Sequence, residues 1–253
     1  MAKQLRVSHS ALDTFNQCNY KYFLKYIERI KPYIPIRYPL VTGVAFHELV
    51  NLMYQECDFT RKFLTRNWKP IFEKCLEEEG SAWASTTGSD KYLAYGYVLI
   101  NQFFKFAEER GYLIKPIQSE WGFTINLEDA VIVGKTDLII QRSPELPIEI
   151  LDFKTSWKVP TQEQVDANKQ LTLYDWAVKK ELGLENTVVG LFLPRKKAIL
   201  LSSRGPEDHI KLLEELVSFD SSIKGAEFPP NLEHCSTCEL KNYCKFYVPE
   251  VKK

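Results

Sequence analysis

Apolar residues in the first part of the chain recur every three or four positions. Leu12, Phe15, Tyr22, Tyr26 and Ile30 fall at mostly helical spacings, which lets one helix face meet a core. Ser10, with Asp13 three residues on, resembles an N-cap with an acid in the first turn. A helix carrying Cys18 is therefore expected here. Pro32, Pro35 and Pro39 interrupt the next stretch of chain, and a second helix is expected over 43–57 with His47 in its first half. Further helices are expected over 60–79 and 90–110, on either side of a Gly80 to Gly88 stretch.

The period then becomes that of a sheet. Residues 118–127, 130–141 and 147–155 are short runs rich in Ile, Val, Phe and Trp, separated by turn formers such as Glu128-Asp129 and Ser143-Pro144. They predict a three-strand meander. A helix over 161–182, strands over 187–193 and 198–201, and a helix over 207–223 complete the order. This order predicts an α/β fold in which a mixed central sheet is flanked by helices, with a Cys-rich tail beyond it as loop. No internal repeat, low-complexity tract or long linker divides the chain. The simplest partition is one domain over 1–253: a helical region over 1–115, a core over 116–225 and a Cys-rich segment over 226–253.

With 253 residues, 45% apolar and 13% aromatic, the chain has enough hydrophobic surface to offset chain entropy, which excludes the disordered class. No apolar run approaches the roughly 20 residues of a membrane helix, and the opening residues carry no signal-peptide stretch. The expectation is a cytoplasmic protein with no membrane partner. Its 33 Lys and Arg balance 33 Asp and Glu, so net charge gives no argument for nucleic acid. Local charge differs: Lys3, Arg6, Lys21, Lys25, Arg29, Lys31 and Arg37 face only Asp13 and Glu28 within residues 1–40, and Arg195, Lys196, Lys197 and Arg204 form an acid-free run. Such patches neutralise phosphates or are solvated faces, and charge leaves both open. Tyr20, Tyr22, Phe23, Tyr26, Tyr33 and Tyr38 interleave with the first patch. That arrangement suits single strands, but core packing accounts for most of these rings.

Asp137 and Asp152 each sit amid strand-forming apolar residues, in Val133-Gly134-Lys135-Thr136-Asp137-Leu138 and Ile150-Leu151-Asp152-Phe153-Lys154. A carboxylate there loses hydration and needs a cation, a hydrogen-bond network or a metal. Strand alternation sends Asp152 and Lys154 to one face and Leu151 and Phe153 to the other. Two acids beside an ammonium suit a hard divalent ion and phosphate chemistry, and a strand-borne Asp-Lys salt bridge is the alternative. Cysteines occupy 18, 57, 75, 235, 238 and 244, half of them within ten residues. Without a secretion signal, metal ligation rather than disulfides is the leading account. Cys235, Cys238 and Cys244 supply three thiolates, and a tetrahedral site or a cubane needs a fourth ligand from elsewhere. Cys57 and Cys75 fall on helical patterns and read as buried small hydrophobes.

Gly134-x-x-Asp137, 14 intervening residues, then Asp152-Phe153-Lys154 resembles the PD-(D/E)XK nuclease superfamily. The likeness is most specific to its RecB-like branch, which includes AddB-type and CRISPR-associated iron-sulfur exonucleases. That branch also has a histidine on an early helix, matched by His47, and a Gln-x-x-x-Tyr helix, matched by Gln170 and Tyr174. The resemblance implies a restriction-endonuclease-like core. It also implies that His47, Asp137, Asp152 and the Phe153 carbonyl bind catalytic magnesium or manganese, and that Lys154 is the catalytic ammonium. Gln170 and Tyr174, four apart on one helical face, would bind phosphate or fix the water and Lys154. Glu120, on the preceding strand, is either another acid of the site or part of an edge salt bridge.

The setting of Cys18, Leu12-x-x-Phe15-x-x-Cys18-x-x-Lys21-Tyr22, is similar to the N-terminal cysteine helix of the iron-sulfur members. Asn19 stands where that family often has Pro. The resemblance implies that Cys18, Cys235, Cys238 and Cys244 hold a [4Fe–4S] cluster. Closing a loop of 216 intervening residues would make it a structural staple. Zinc on the three cysteines with Cys18 or His234 is the alternative. The implied activity is metal-dependent DNA hydrolysis, as an exonuclease on single strands or free ends, with protein partners in a DNA-processing complex conceivable. The rival is a DNA-binding or assembly subunit whose cleavage is secondary. A zinc ribbon appended to an unrelated α/β domain is a third reading.

Overall fold

The structure, a computed structural model, describes residues 5–31, 38–79, 86–126, 130–225 and 228–248. In chain order the elements are β1 (Leu5–Val7), α1 (His9–Gln17) and α2 (Asn19–Tyr22), the last running into a π-helical turn over Phe23–Ile27. There follow α3 (Tyr38–Glu56), α4 (Arg61–Glu78) and α5 (Thr86–Glu109), then β2 (Gln118–Asn126), β3 (Ala130–Ile140) and β4 (Ile148–Phe153). The rest comprises α6 (Gln162–Asp166), α7 (Lys169–Leu182), β5 (Thr187–Leu193), a 3-10 turn (Pro194–Lys196), β6 (Ala198–Ser202), α8 (Pro206–Lys224) and two 3-10 turns, Leu232–Thr237 and Lys241–Tyr243.

Two compact units share these elements. The first comprises Met1–Pro35, Thr124–Gly134 and Glu207–Lys253; the second comprises Ile36–Phe123 and Lys135–Pro206. In the first, β1 pairs in parallel with the start of β3, Leu5 opposite Ala130 and Val7 opposite Ile132. Sequence patterning missed β1, because three residues are too few to show a period of two. Phe15, Tyr22 and Phe219 meet edge to face at 4.8–5.5 Å, and Tyr22 and Phe23 also stack near Phe228. These rings of the N-terminal patch are core, whereas Tyr33 lies outside the described residues, as do Pro32, Pro35, Lys3 and Arg37.

Several boundaries differ from expectation for identifiable local reasons. Ser8, not Ser10, caps α1, its hydroxyl accepting the Ala11 N–H at 3.2 Å. The expected helix through Cys18 breaks at that residue, which is extended (φ −165°, ψ 114°) and caps α2. Pro39 lies in the first turn of α3, where a missing N–H costs nothing. Gly88 belongs to α5, and residues 80–85 and Glu128-Asp129 lie outside the described residues. The stretch 161–182 is two helices, because Asn168 leaves the helix to accept the Leu171 N–H at 3.1 Å. Arg204 fastens that joint, donating to Val165 O and Thr172 Oγ1, each at 2.8 Å. It is buried and so leaves the basic patch. Cys75 is buried in α4 as expected, but Cys57 is exposed just past α3 with φ 52°.

The second unit holds a mixed sheet. Within it β3 runs antiparallel to β4, β4 parallel to β5 and β5 antiparallel to β6, and β2 also pairs with β3. Helices α3, α4 and α5 pack on one another, and α7 lies against β4 and β5. The core joins Phe46, Phe103, Phe153 and Phe192 at ring separations of 5.3–6.1 Å. Gly96 lets α5 cross the Trp68 indole, since a Cβ there would lie 1.7 Å from the ring. Leu151 and Phe153 enter this core, which by alternation turns Asp152 to the opposite face. Among the described residues no helix is long and apolar enough to cross a membrane.

Candidate active site

The pairing of β3 with β4 ends at Leu138 opposite Leu151. One residue beyond, the Asp137 side chain replaces a ladder carbonyl, its Oδ2 accepting the Phe153 N–H at 2.6 Å. The end of the ladder is thus capped by a carboxylate whose other oxygen, Oδ1, lies 3.2 Å from His47 Nδ1. His47 comes from α3, anchored by Phe46, whose ring packs against Phe103 and Phe153. Burial pulls the imidazole pKa down, but the hydrogen bond to Asp137 and the charges of Asp137, Asp152 and Glu120 more than offset this, and the net shift is upward.

Glu120 is the third member. One ligand atom from each of His47, Glu120 and Asp137 lies within 4.8 Å of the others. On β2, Glu120 shares the parity of the exposed Gly122, Thr124 and Asn126, which is why the sequence left an edge salt bridge open. Its φ of 51° breaks that alternation and re-aims the side chain, a local strain of the kind that gathers at functional sites. Glu120 also pairs with the exposed Lys135, the salt bridge the sequence offered, while lying close enough to His47 and Asp137 to join a metal site. The trio opens into a cleft of about 660 Å³ that Lys154 also lines.

Asp152 stands apart from the trio. It is 3% exposed, and Lys154 Nζ lies 2.7 Å from its Oδ2. The ammonium is that buried oxygen's partner. Burial pushes the Asp152 pKa up to about 6, against the pull of Lys154. On its other side Lys154 Nζ donates to Gln170 Oε1 at 3.4 Å, and Gln170 Nε2 donates to Tyr174 Oη at 2.6 Å. Tyr174 is buried against the Phe123 ring. Burial, then the charges of Asp152 and Asp137, drive its hydroxyl pKa upward, so it stays a neutral partner that accepts from the Gln170 amide. The structure therefore brings together His47, Asp137, Asp152, Phe153, Lys154, Gln170 and Tyr174, and adds Glu120.

The four cysteines at 18, 235, 238 and 244 line one cavity of the first unit, with Lys21, His234 and Lys241. Cys18 Sγ accepts the Lys21 N–H at 3.5 Å and the Asn231 N–H at 3.3 Å. Cys238 and Cys244 close the two 3-10 turns with extended backbones. Burial raises the Cys238 thiol pKa, opposed by the Leu240 N–H and by Lys21.

A family model described as the PD-(D/E)XK nuclease superfamily matches residues 6–245. The chain belongs to that superfamily. No curated protein matches it. Among solved structures, a crystal structure described as a "Putative exonuclease" from Eubacterium rectale aligns with a TM-score of 0.58 at 14% identity, covering 98% of this chain and 91% of that one. At that identity the likeness shows the fold alone. SSO0001 aligns at 12% identity with a TM-score of 0.41, over 98% of this chain and 90% of that one, and bears no weight. As in the name PD-(D/E)XK, the Asp137 and Asp152-Phe153-Lys154 pattern supplies the acids and the lysine. Sequence reasoning weighed Glu120 without assigning it, since a positive φ inside a strand leaves no sequence period to read.

Proposed function

We propose that the protein hydrolyses DNA phosphodiester bonds with a divalent ion, as a single-strand-preferring exonuclease of the RecB-like branch whose four cysteines hold a structural [4Fe–4S] cluster. Repair, recombination, replication or CRISPR-type processing would use such an activity, and the DNA is its partner. The observation that carries the reading is the convergence of His47, Glu120 and Asp137 within 4.8 Å at the mouth of a cleft lined by Lys154.

Charge supports an ion there. Glu120 and Asp137 lie together beside His47, and Asp152 adds a third carboxylate within charge range of Asp137, against the ammoniums of Lys135 and Lys154. Two carboxylates and an imidazole fit a divalent ion, and the nitrogen donor favours manganese over magnesium. When bound, such an ion supplies a water of lowered pKa and offsets charge on the phosphate. The chain's own residues do the rest. Asp152 and Gln170 hold the Lys154 ammonium from two sides, so that it meets the phosphate oxygens where negative charge develops without reorganising at that moment. Lys154, which can only donate, sets the Gln170 amide with its oxygen inward, Tyr174 accepts from the amide's other end, and the Phe153 N–H holds the Asp137 carboxylate in register.

For the cysteine site, Cys18, Cys235, Cys238 and Cys244 line one cavity, and four thiols suit a cubane or a tetrahedral zinc alike by ligand type. The resemblance of the Cys18 helix and the C-terminal trio to iron-sulfur nucleases is what favours the cluster. Lys21 and Lys241 beside the thiols would offset the charge of four thiolates.

The test uses anaerobically purified protein with end-labelled single-stranded oligonucleotides and manganese or magnesium. Wild type is expected to digest them, and Lys154→Ala and Asp137→Ala are each expected to lose about 10²- to 10³-fold in rate. Undiminished cleavage by both variants, or binding without cleavage across metals by wild type, overturns the reading. An absorbance band near roughly 400 nm distinguishes iron-sulfur from zinc.

A further inference from the structure

A second cleft of about 1010 Å³ in the same unit is lined by Tyr92, Tyr95, Trp157, Lys91 and Arg195, with no acid among its lining residues. Pro39, Leu40, Thr155 and Ser156 line both this cleft and the carboxylate cleft, so the two adjoin. Trp157 follows Lys154 by three residues, a span of about 11 Å at most between their Cα atoms.

The side chains here are arranged unlike a core. Trp157 is 63% exposed, a large apolar area to leave in water. The Arg195 guanidinium lies 4.1 Å from the Tyr95 ring centroid and 4.9 Å from that of Trp157. Lys196 Nζ lies 5.5 Å over the same indole. The Trp157 ring thus meets two cations and, at 5.7 Å, the Tyr95 ring, while much of the residue stays open to solvent. Arg195 Nε and Tyr95 Oη are buried without a hydrogen-bond partner. Among the described residues no carboxylate forms an ion pair with Arg195 or Lys196. Tyr92 stacks on Tyr38 at 5.4 Å and 10°, adding a second aromatic platform to the cleft.

Flat rings beside uncompensated cations match an extended nucleic-acid strand, whose bases offer π-faces and whose phosphates offer negative charge. A duplex fits poorly, because its base faces are already stacked on one another. We infer that this aromatic–arginine cleft is the subsite for unpaired nucleotides of a DNA strand next to the cleaved phosphate, with a base on the exposed part of the Trp157 ring and a phosphate at Arg195 and Lys196. The inference rests on the nuclease reading for the identity of the strand, and it supplies a physical basis for single-strand preference that the carboxylate cleft does not. Neither residue touches the metal-binding trio, so both act on strand affinity and not on the chemical step.

The experiment measures fluorescence anisotropy of labelled oligo-dT and of a blunt duplex of equal length in metal-free buffer. Wild type is expected to bind the single strand more tightly than the duplex. Trp157→Ala and Arg195→Gln are each expected to weaken oligo-dT binding by about 5- to 100-fold while keeping the wild-type melting temperature. Trp157→Phe, which retains a ring, is expected to recover most of the loss. Variants that bind oligo-dT within twofold of wild type, equal losses on duplex and single strand, or a wild type that binds no oligo-dT overturn the inference. The nuclease reading is scored separately, by loss of metal-dependent cleavage in Lys154→Ala with oligo-dT binding intact. Strand binding without any cleavage would remove that reading and keep the subsite.

Discussion

The carboxylate cleft and the cysteine cavity both gather residues far apart in sequence, yet they are supported differently. His47, Glu120, Asp137 and Asp152 project from α3, β2, β3 and β4, and their unit carries a core of Phe46, Phe103, Phe153 and Phe192 that owes nothing to an ion. Among its described residues, the segment with Cys235, Cys238 and Cys244 has only two 3-10 turns and one fully buried apolar residue, Leu240. In the first region the fold makes the site. In the second, apolar burial is scant, and a centre held by the cysteines, as proposed, would supply the order, as in small metal-stapled modules.

The largest effect should therefore come from the cysteine side. Cys18→Ser is expected to abolish the visible absorbance and to render residues 228–248 open to proteolysis, while the second unit keeps its own melting transition. Limited proteolysis with mass spectrometry reads this, and an unchanged digestion pattern would erase the contrast.

The next experiment compares two buried carboxylates. Glu149 is 1% exposed and accepts from the Tyr112 hydroxyl and from Arg142 at 2.6–2.8 Å, whereas Asp152 Oδ2 has only the ammonium of Lys154. Glu149→Ala leaves Arg142 unpaired and is expected to cost about 3–5 kcal/mol in denaturant unfolding, with manganese affinity unchanged. Lys154→Ala is expected to lose about 3–4 kcal/mol of transition-state stabilisation, a loss in rate that Glu149→Ala does not share, and also to lower the melting temperature, because the buried Asp152 keeps no counter-charge. Were the two variants to behave alike, the division between a structural and a functional acid would fail.

The smallest expected effect is that of Tyr174→Phe. Its ring contact with Phe123 survives, and loss of one hydrogen bond to Gln170 should lower the cleavage rate by about fivefold without altering strand affinity. A large change in affinity would move Tyr174 from holding Lys154 to contacting DNA.

Much of the fold and the site was legible from residue pattern, unevenly and for physical reasons. Strands β3 and β4 were readable because their apolar runs are long enough to show a period, and Asp137, Asp152 and Lys154 stood out as charges inside them. The remaining members needed three dimensions. Glu120 joins through a positive φ that strand alternation hides. Cys18 sits at a helix break because its thiol accepts a backbone N–H, a choice that helical spacing of Phe15 and Tyr22 does not reveal. Arg195 and Arg204 belong to one basic run, yet Arg204 is spent on fastening α6 to α7 while Arg195 faces an open cleft. Composition treats the two alike, and only packing separates them.

Manganese binding followed by electron paramagnetic resonance addresses the central claim, that His47, Glu120 and Asp137 together hold a divalent ion. The account predicts one bound ion per wild-type chain, weakened at least tenfold by Glu120→Gln and lost in Asp137→Ala, with Glu149→Ala binding as wild type. Equal manganese affinity in wild type, Glu120→Gln and Asp137→Ala would contradict it.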